Sequence, residues 1–159
     1  MNKTTIILFL SILIGLHCYA QELTCLDFQS GEFYIPTTEE LKNFKIIKND
    51  SIQDFKLQLD PTVTKTVIQR KKNTQTEWAN GIGNGEPLFE KIEWIDECTY
   101  RLTYDDSKKE LDEHEKWANE NNGIIVTKRR IEGNCMFYTA TMTTNNGEKL
   151  SQNGVICKK

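Results

Sequence analysis

The sequence predicts a mainly β fold: an antiparallel meander forming a barrel or strongly curled sheet, with one inserted α-helix at about 107–121. Three observations lead there. Apolar and polar residues alternate with period two in runs from Gly31 to the C-terminus, the pattern of half-buried strands. Pairs and triplets of Asn, Asp and Gly separate many of these runs, and such residues supply the positive φ that tight hairpins need. The short connections make sequential strands antiparallel neighbours. Closing such a meander removes its free edges; a two-sheet sandwich is the alternative packing of the same strands.

Gly31 to Ile35 reads as a first strand, stopped by Pro36, and polar residues 37–42 suit a short helical turn. Residues 44–48 and 51–59 read as a hairpin around Asn49-Asp50, with Phe55, Leu57 and Leu59 on one face, ended by Asp60-Pro61. Residues 62–70 are rich in β-branched side chains and suit a further strand. Residues 71–85 carry no clear period. Trp78 offers an anchor to the core, and Gly81-Ile82-Gly83-Asn84-Gly85 reads as a loop, since no Lys-Ser or Lys-Thr follows it as in a phosphate cradle. Residues 88–95 and 98–104 form the next hairpin, around Asp96-Glu97. Ser107 and Glu110 have capping-box spacing and start the helix; Leu111, His114 and Ala118 share one of its faces, with Trp117 beside them. Asn121-Asn122-Gly123 stops it. Strands 124–131, 135–143 and 148–157 follow, joined at 132–134 and 145–147, for about eight to ten strands in all.

The N-terminus predicts export. Lys3 precedes the largely apolar run 6–16, which is far short of the roughly 20 residues that span a bilayer. Cys18 and Ala20 are small residues at −3 and −1, so the expected signal peptide is 1–20, cleaved between Ala20 and Gln21. A lipid anchor through Cys18 is the alternative. The expected mature chain, 21–159, is one disulfide-bonded β domain with no membrane span, secreted or periplasmic. Removing Lys3 from 20 basic side chains leaves 19 against 23 acidic, a formal charge of −4. That balance argues against a nucleic-acid partner; Lys71-Lys72 and Lys128-Arg129-Arg130 read as solvated charges.

Four cysteines remain after cleavage, an even number in an exported chain. A three-residue loop 145–147 with Gly147 at the left-handed position centres the last hairpin on Asn146, so opposed residues have numbers summing to 292. Cys135 and Cys157 satisfy that sum, and direct opposition brings Cβ atoms near bridging range. The expected bridges are therefore Cys135–Cys157 and Cys25–Cys98. The rival set is Cys25–Cys157 with Cys98–Cys135, and a bulge near Asn153-Gly154 would shift the register.

No motif for chemistry stands out. The cysteines lack zinc spacing and His114 is the only histidine after Gln21, so no metal or cofactor is expected. His114 reads as a helix-surface or packing residue. No Gly-x-Ser-x-Gly elbow is present, and oxidised cysteines leave no thiol nucleophile. Asp96, Glu97, Asp105 and Asp106 lie at turns, where acidic residues serve conformation; a carboxylate pair converging only in space stays open. Asp50-Ser51-Ile52 matches an Asp-Ser/Thr-apolar signal for O-glycosylation, with Ser51 at a hairpin tip.

Three blocks carry a resemblance: Cys25-x-x-Phe28-x-x-Gly31-x-Phe33, Ile46-x-x-Asn49-Asp50-Ser51-Ile52-Gln53, and Trp94-x-x-x-Cys98-x-Tyr100-x-Leu102-Thr103-Tyr104. With these the chain resembles small exported β-rich uncharacterised proteins of Bacteroidetes, some carrying an automatic topoisomerase label that this sequence does not support. Gly31-x-Phe33 also resembles the opening of lipocalin-like barrels. The resemblance implies export and a β fold, and no activity. The expected function is a non-enzymatic binding module for a small hydrophobic ligand or an envelope partner. The alternatives are an exported hydrolase using convergent carboxylates, or a purely structural envelope protein.

Overall fold

The computed structural model describes residues 22–42, 44 and 65–159. The expected signal segment with Cys18, Ala20 and Gln21, the hairpin tip with Ser51, and nearly all of the expected strands at 44–48 and 51–59 lie outside the described residues. Eight antiparallel strands close into a barrel in sequence order: β1 (Gly31–Tyr34), β2 (Val67–Lys71), β3 (Thr74–Trp78), β4 (Leu88–Trp94), β5 (Thr99–Tyr104), β6 (Ile124–Glu132), β7 (Cys135–Thr143) and β8 (Lys149–Lys158). β1 pairs with β8 to make the seam. The fold is therefore the closed form of the meander rather than a two-sheet sandwich.

Alternation along each strand sorts side chains into an interior and an outer face. Phe33, Ile68, Ile92, Tyr100, Val126, Met136 and Ile156 point inward and pack with Phe28 as the main core. Phe28 comes from a 3-10 turn, Cys25–Phe28, that plugs one end of the barrel and forms its floor. On the outside of β7 and β8, Cys135, Phe137, Val155 and Cys157 make a second cluster with Leu41, packed by Tyr34 and Phe44. Leu41 ends the short helix α1 (Thr38–Leu41), whose N-cap Thr37 accepts the Glu40 N–H.

Strand order and register explain two side-chain placements. A bulge between Lys128 and Arg130 adds one residue to β6 and reverses its phase, so that Ile131 opposes the inward Met136 and joins the core. Gly154 lies opposite Tyr138, and a Cβ there would fall within the Tyr138 ring. The glycine is what lets that ring lie across the interior. No bulge interrupts β7–β8: every opposed pair from Cys135–Cys157 to Thr143–Lys149 sums to 292.

Three expectations need correction. The helix α2 is Glu113–Glu120, not 107–121. Ser107 does not cap it, because its hydroxyl and N–H both donate to the Asp105 carboxylate in a preceding turn. The capping box belongs to Asp112 and Glu115 instead. The shift also changes the helix's inner face: Glu115 and Ala118 are buried, while His114 and Trp117 are exposed. Residues 71–85, which carry no clear period in the sequence, contain β3, and Gly81 to Gly85 lie outside any strand. The strand expected at 62–70 is β2, which begins at Val67 among the described residues.

Candidate binding site in the barrel interior

One row of side chains crosses four neighbouring strands in register: Arg70 on β2, Gln75 on β3, Glu90 on β4 and Tyr104 on β5. All four share the inward phase of Ile68 and Ile92. Arg70, Gln75 and Glu90 are buried and Tyr104 is half-buried. Burial of a guanidinium is costly unless its donors are satisfied, and here they are. Arg70 Nε and Nη2 donate to Gln75 Oε1 at 2.8 and 2.6 Å. Nη1 donates to the Phe28 carbonyl at 2.8 Å and Nη2 to the Tyr100 hydroxyl at 2.9 Å. The guanidinium also lies 4.7 Å from the Tyr100 ring centre, 5.4 Å from that of Phe33 and 6.0 Å from that of Trp94. Arg70 thus fastens the floor turn to the barrel wall.

Gln75 passes the contact on. Its oxygen is taken by Arg70, which orients its amide nitrogen to donate to Glu90 Oε2 at 2.6 Å. Glu77, two positions along β3, faces the same interior. Burial raises the Glu90 carboxyl to about 8, and the Glu77 carboxylate pushes it further up; Gln75 and Arg70 pull the other way. Burial likewise raises Glu77 to about 7, with Arg70 opposing. Glu77 keeps some surface exposure although protein surrounds its carboxyl. The Tyr104 hydroxyl is pushed to about 12, mainly by burial, and burial also pushes Tyr138 up. Glu115 of α2 is the other acid that acts on Glu90. It pairs with Lys109 at 2.7 Å and caps its own helix.

The interior is not uniformly filled. Around the floor, Phe28, Phe33, Ile68, Tyr100, Met136 and Ile156 are fully buried. Toward the opposite end, Leu102, Tyr104, Ile124 and Ala140 are inward yet only half-buried, as is Leu88 opposite Glu77. An eight-stranded barrel is just wide enough either to be filled by its own side chains or to hold one small ligand. The inward apolar groups of this barrel are sealed at the floor and partly exposed toward the other end. The polar row lies between the sealed floor and this less filled part. Helix α2 is fastened at that far end: the Asn119 side chain exchanges hydrogen bonds with the backbone of Tyr104, and the Asn121 side-chain Oδ1 accepts the Asn145 N–H.

The residues singled out in the sequence fall elsewhere. Cys25 and Cys98 are paired at disulfide distance, with Cα atoms 5.1 Å apart, joining the floor turn to the β4–β5 hairpin. Cys135 and Cys157 are paired directly across β7 and β8, Cα atoms 3.9 Å apart. Asp96 accepts the Cys98 and Thr99 N–H groups in the hairpin turn, which holds its carboxyl below the usual range. Asp105 is held low by Ser107 and then Lys91. Asp105 lines a small pocket that Gln75 and Glu90 also border, but its carboxylate is taken by Ser107 and Lys91. Among the described residues, no three His, Cys, Asp or Glu side chains are grouped to hold a metal ion. Lys128 and Arg130 line a groove outside the floor together with Glu22, Glu97 and Glu132, a mixed lining rather than a basic stripe.

Sequence reasoning missed Arg70, Gln75, Glu77 and Glu90, but a signal for one of them was present. In 88–94 the residues Leu88, Glu90, Ile92 and Trp94 share a phase, so the alternation already puts a carboxylate on the apolar face. β3 gave no such signal, because its inward residues are the polar Gln75 and Glu77, while its outward ones are Thr74, Thr76 and Trp78. Set against known protein families, curated proteins and solved structures, the chain matches none of them, so the geometry of the barrel alone carries the functional reading.

Proposed function

We propose that this chain is an exported binding protein that holds one small ligand inside its barrel. The observation that carries the reading is the contrast within one interior: a floor sealed by the Cys25–Phe28 turn, and inward apolar side chains toward the opposite end that stay partly exposed. Pockets of this kind join apolar walls to a few placed polar groups, and the row from Arg70 to Glu90 supplies them. Small up-and-down barrels of lipocalin-like form use the same architecture. The two cysteine pairs fit an oxidising compartment outside the cytoplasm, in keeping with cleavage after Ala20.

Native mass spectrometry of the chain purified from its own host tests the proposal. The expected result is a bound small molecule that is lost on unfolding. A bare chain that also takes up no small amphiphile in solution would refute it. The raised carboxyls of Glu77 and Glu90 favour one second reading, a hydrolase in which one acid stays protonated near neutral pH. That reading requires turnover of a substrate, and loss of turnover in Glu90→Gln.

A further inference from the structure

We propose that the barrel's ligand carries an ammonium head on an apolar body, with Glu77 and Glu90 receiving the head. The inference rests on the ligand-binding reading above and deepens it. It starts from where the hydrogen-bond donors go. Arg70 is the guanidinium of the polar row, and its donors are committed to the Phe28 carbonyl, Gln75 and Tyr100. A ligand carboxylate or phosphate would have to break these bonds, and with them the fastening of the floor. Gln75 is committed as well, with its oxygen on Arg70 and its nitrogen on Glu90. Each donor nitrogen of Arg70 and Gln75 is thus already engaged inside the barrel.

Acceptors are left over. Glu90 accepts one hydrogen bond, on Oε2, and a carboxylate can accept several. Glu77 is set diagonally from Glu90 on the next strand, with Leu88 directly opposite it. Neither forms an ion pair with a side chain among the described residues, whereas Glu115 nearby has Lys109. The groups that face the two acids are Arg70 and Gln75 from the β2–β3 side, Tyr100 and Tyr104 from β5, Tyr138 from β7 and Glu115 from α2. Of these only Arg70 is cationic, and it acts across the intervening Gln75 amide. Without a ligand, burial favours the protonated form of both acids, and for Glu90 the neighbouring Glu77 adds to it. An ammonium supplies three donors and a positive charge in place of a proton. The half-buried Leu88, Leu102, Ile124 and Ala140 would cover the alkyl part. Binding would move one proton from the carboxyl pair to solvent and make no covalent bond.

Octylamine, octanol and octanoate, each titrated calorimetrically into the mature chain at pH 7.5, separate the possibilities. Repeating the octylamine titration in phosphate and in Tris counts released protons. The expected result is octylamine binding about tenfold or more tighter than the other two, with release of up to about one proton. In Glu77→Gln/Glu90→Gln the preference and the proton release should vanish while octanol binding remains. Octanol or octanoate binding as tightly as octylamine, or octylamine binding without proton release, would overturn the ammonium assignment and leave the barrel's binding role standing. Binding of none of the three would overturn both. The comparison within the wild-type chain decides the matter even if the double variant does not fold.

Discussion

Replacing Glu90 by Gln should make the barrel more stable in mild base and leave its stability in mild acid nearly unchanged. Gln has the shape of the protonated acid, and its side-chain oxygen can still accept the Gln75 amide. The sign follows from the direction of the shift. The Glu90 carboxyl titrates at about 8 in the folded chain against an ordinary 4.5. Below the ordinary value both states hold the proton and nothing is lost. As pH rises toward 8 the unfolded chain gives up its proton while the folded one keeps it, so stability falls. At about 1.4 kcal/mol per unit, this shift sets a ceiling on the order of 5 kcal/mol. Water reaching the less filled end of the barrel will reduce it. Urea unfolding of wild type and Glu90→Gln at pH 5, 6, 7 and 8.5 reads it out. The midpoints should nearly coincide at pH 5 and separate by a few kcal/mol at pH 8.5, with unchanged slopes. Asp27, Asp96, Asp105 and Asp112, all held below their usual range, act only at lower pH and cancel in the comparison. A difference that does not change with pH, or one that favours wild type in base, would refute the placement of Glu90 inside the barrel.

Gly154→Ala should destabilise the fold by about 1–3 kcal/mol, because the new methyl meets the Tyr138 ring; urea unfolding measures it, and Tyr138→Ala in the same chain should relieve part of the cost. Opening the Cys135–Cys157 pair by a double Ser substitution should cost about 3 kcal/mol, and opening Cys25–Cys98 about 4 kcal/mol because it closes the longer loop; peptide mapping without reductant should find these two linked pairs and no Cys25–Cys157 peptide. Intact mass from the native host should show a mature chain beginning at Gln21, where acyl mass on Cys18 would mean a lipid anchor, and any added hexose should map to Ser51.

What could be read from the sequence follows from how strongly each segment binds its phase. β7 and β8 announce themselves through long alternation and an Asn-Asn-Gly loop, and that loop fixes the register that sets Cys135 against Cys157. β4 and β5 are equally plain. β3 is not, because a strand whose inward residues are polar has no hydrophobic phase, and only its partners Arg70 and Glu90 give Gln75 a reason to face inward. The helix was placed too early because Ser107 and Glu110 have the right spacing. The nearby Asp105 carboxylate instead takes the Ser107 hydroxyl and N–H, and Asp112 begins the helix. The candidate site inherits the same difficulty. Its members are scattered over four strands, and their meeting is a property of pairing between strands, which local composition does not contain.

The seam between β1 and β8 is the shortest pairing in the barrel: Phe33 faces Lys158 and Tyr34 faces Cys157, and just past the end of β8 the Lys159 N–H donates to the Glu32 carbonyl while its ammonium pairs with the Glu32 carboxylate. It brings together positions near opposite ends of the described chain, whereas every other pairing between sequential strands but β1–β2 closes a far shorter loop. Contacts that close long loops form late, since the chain must lose more entropy before they reward it. Assembly should therefore run from the β6–β7–β8 hairpins outward and finish by zipping the first strand against the last. In the native state the same two-residue seam should be where the barrel breathes. Backbone amides of β1 should exchange with solvent faster than those of β7, and a guest bound inside could come and go through a parted seam without the floor or helix α2 having to move.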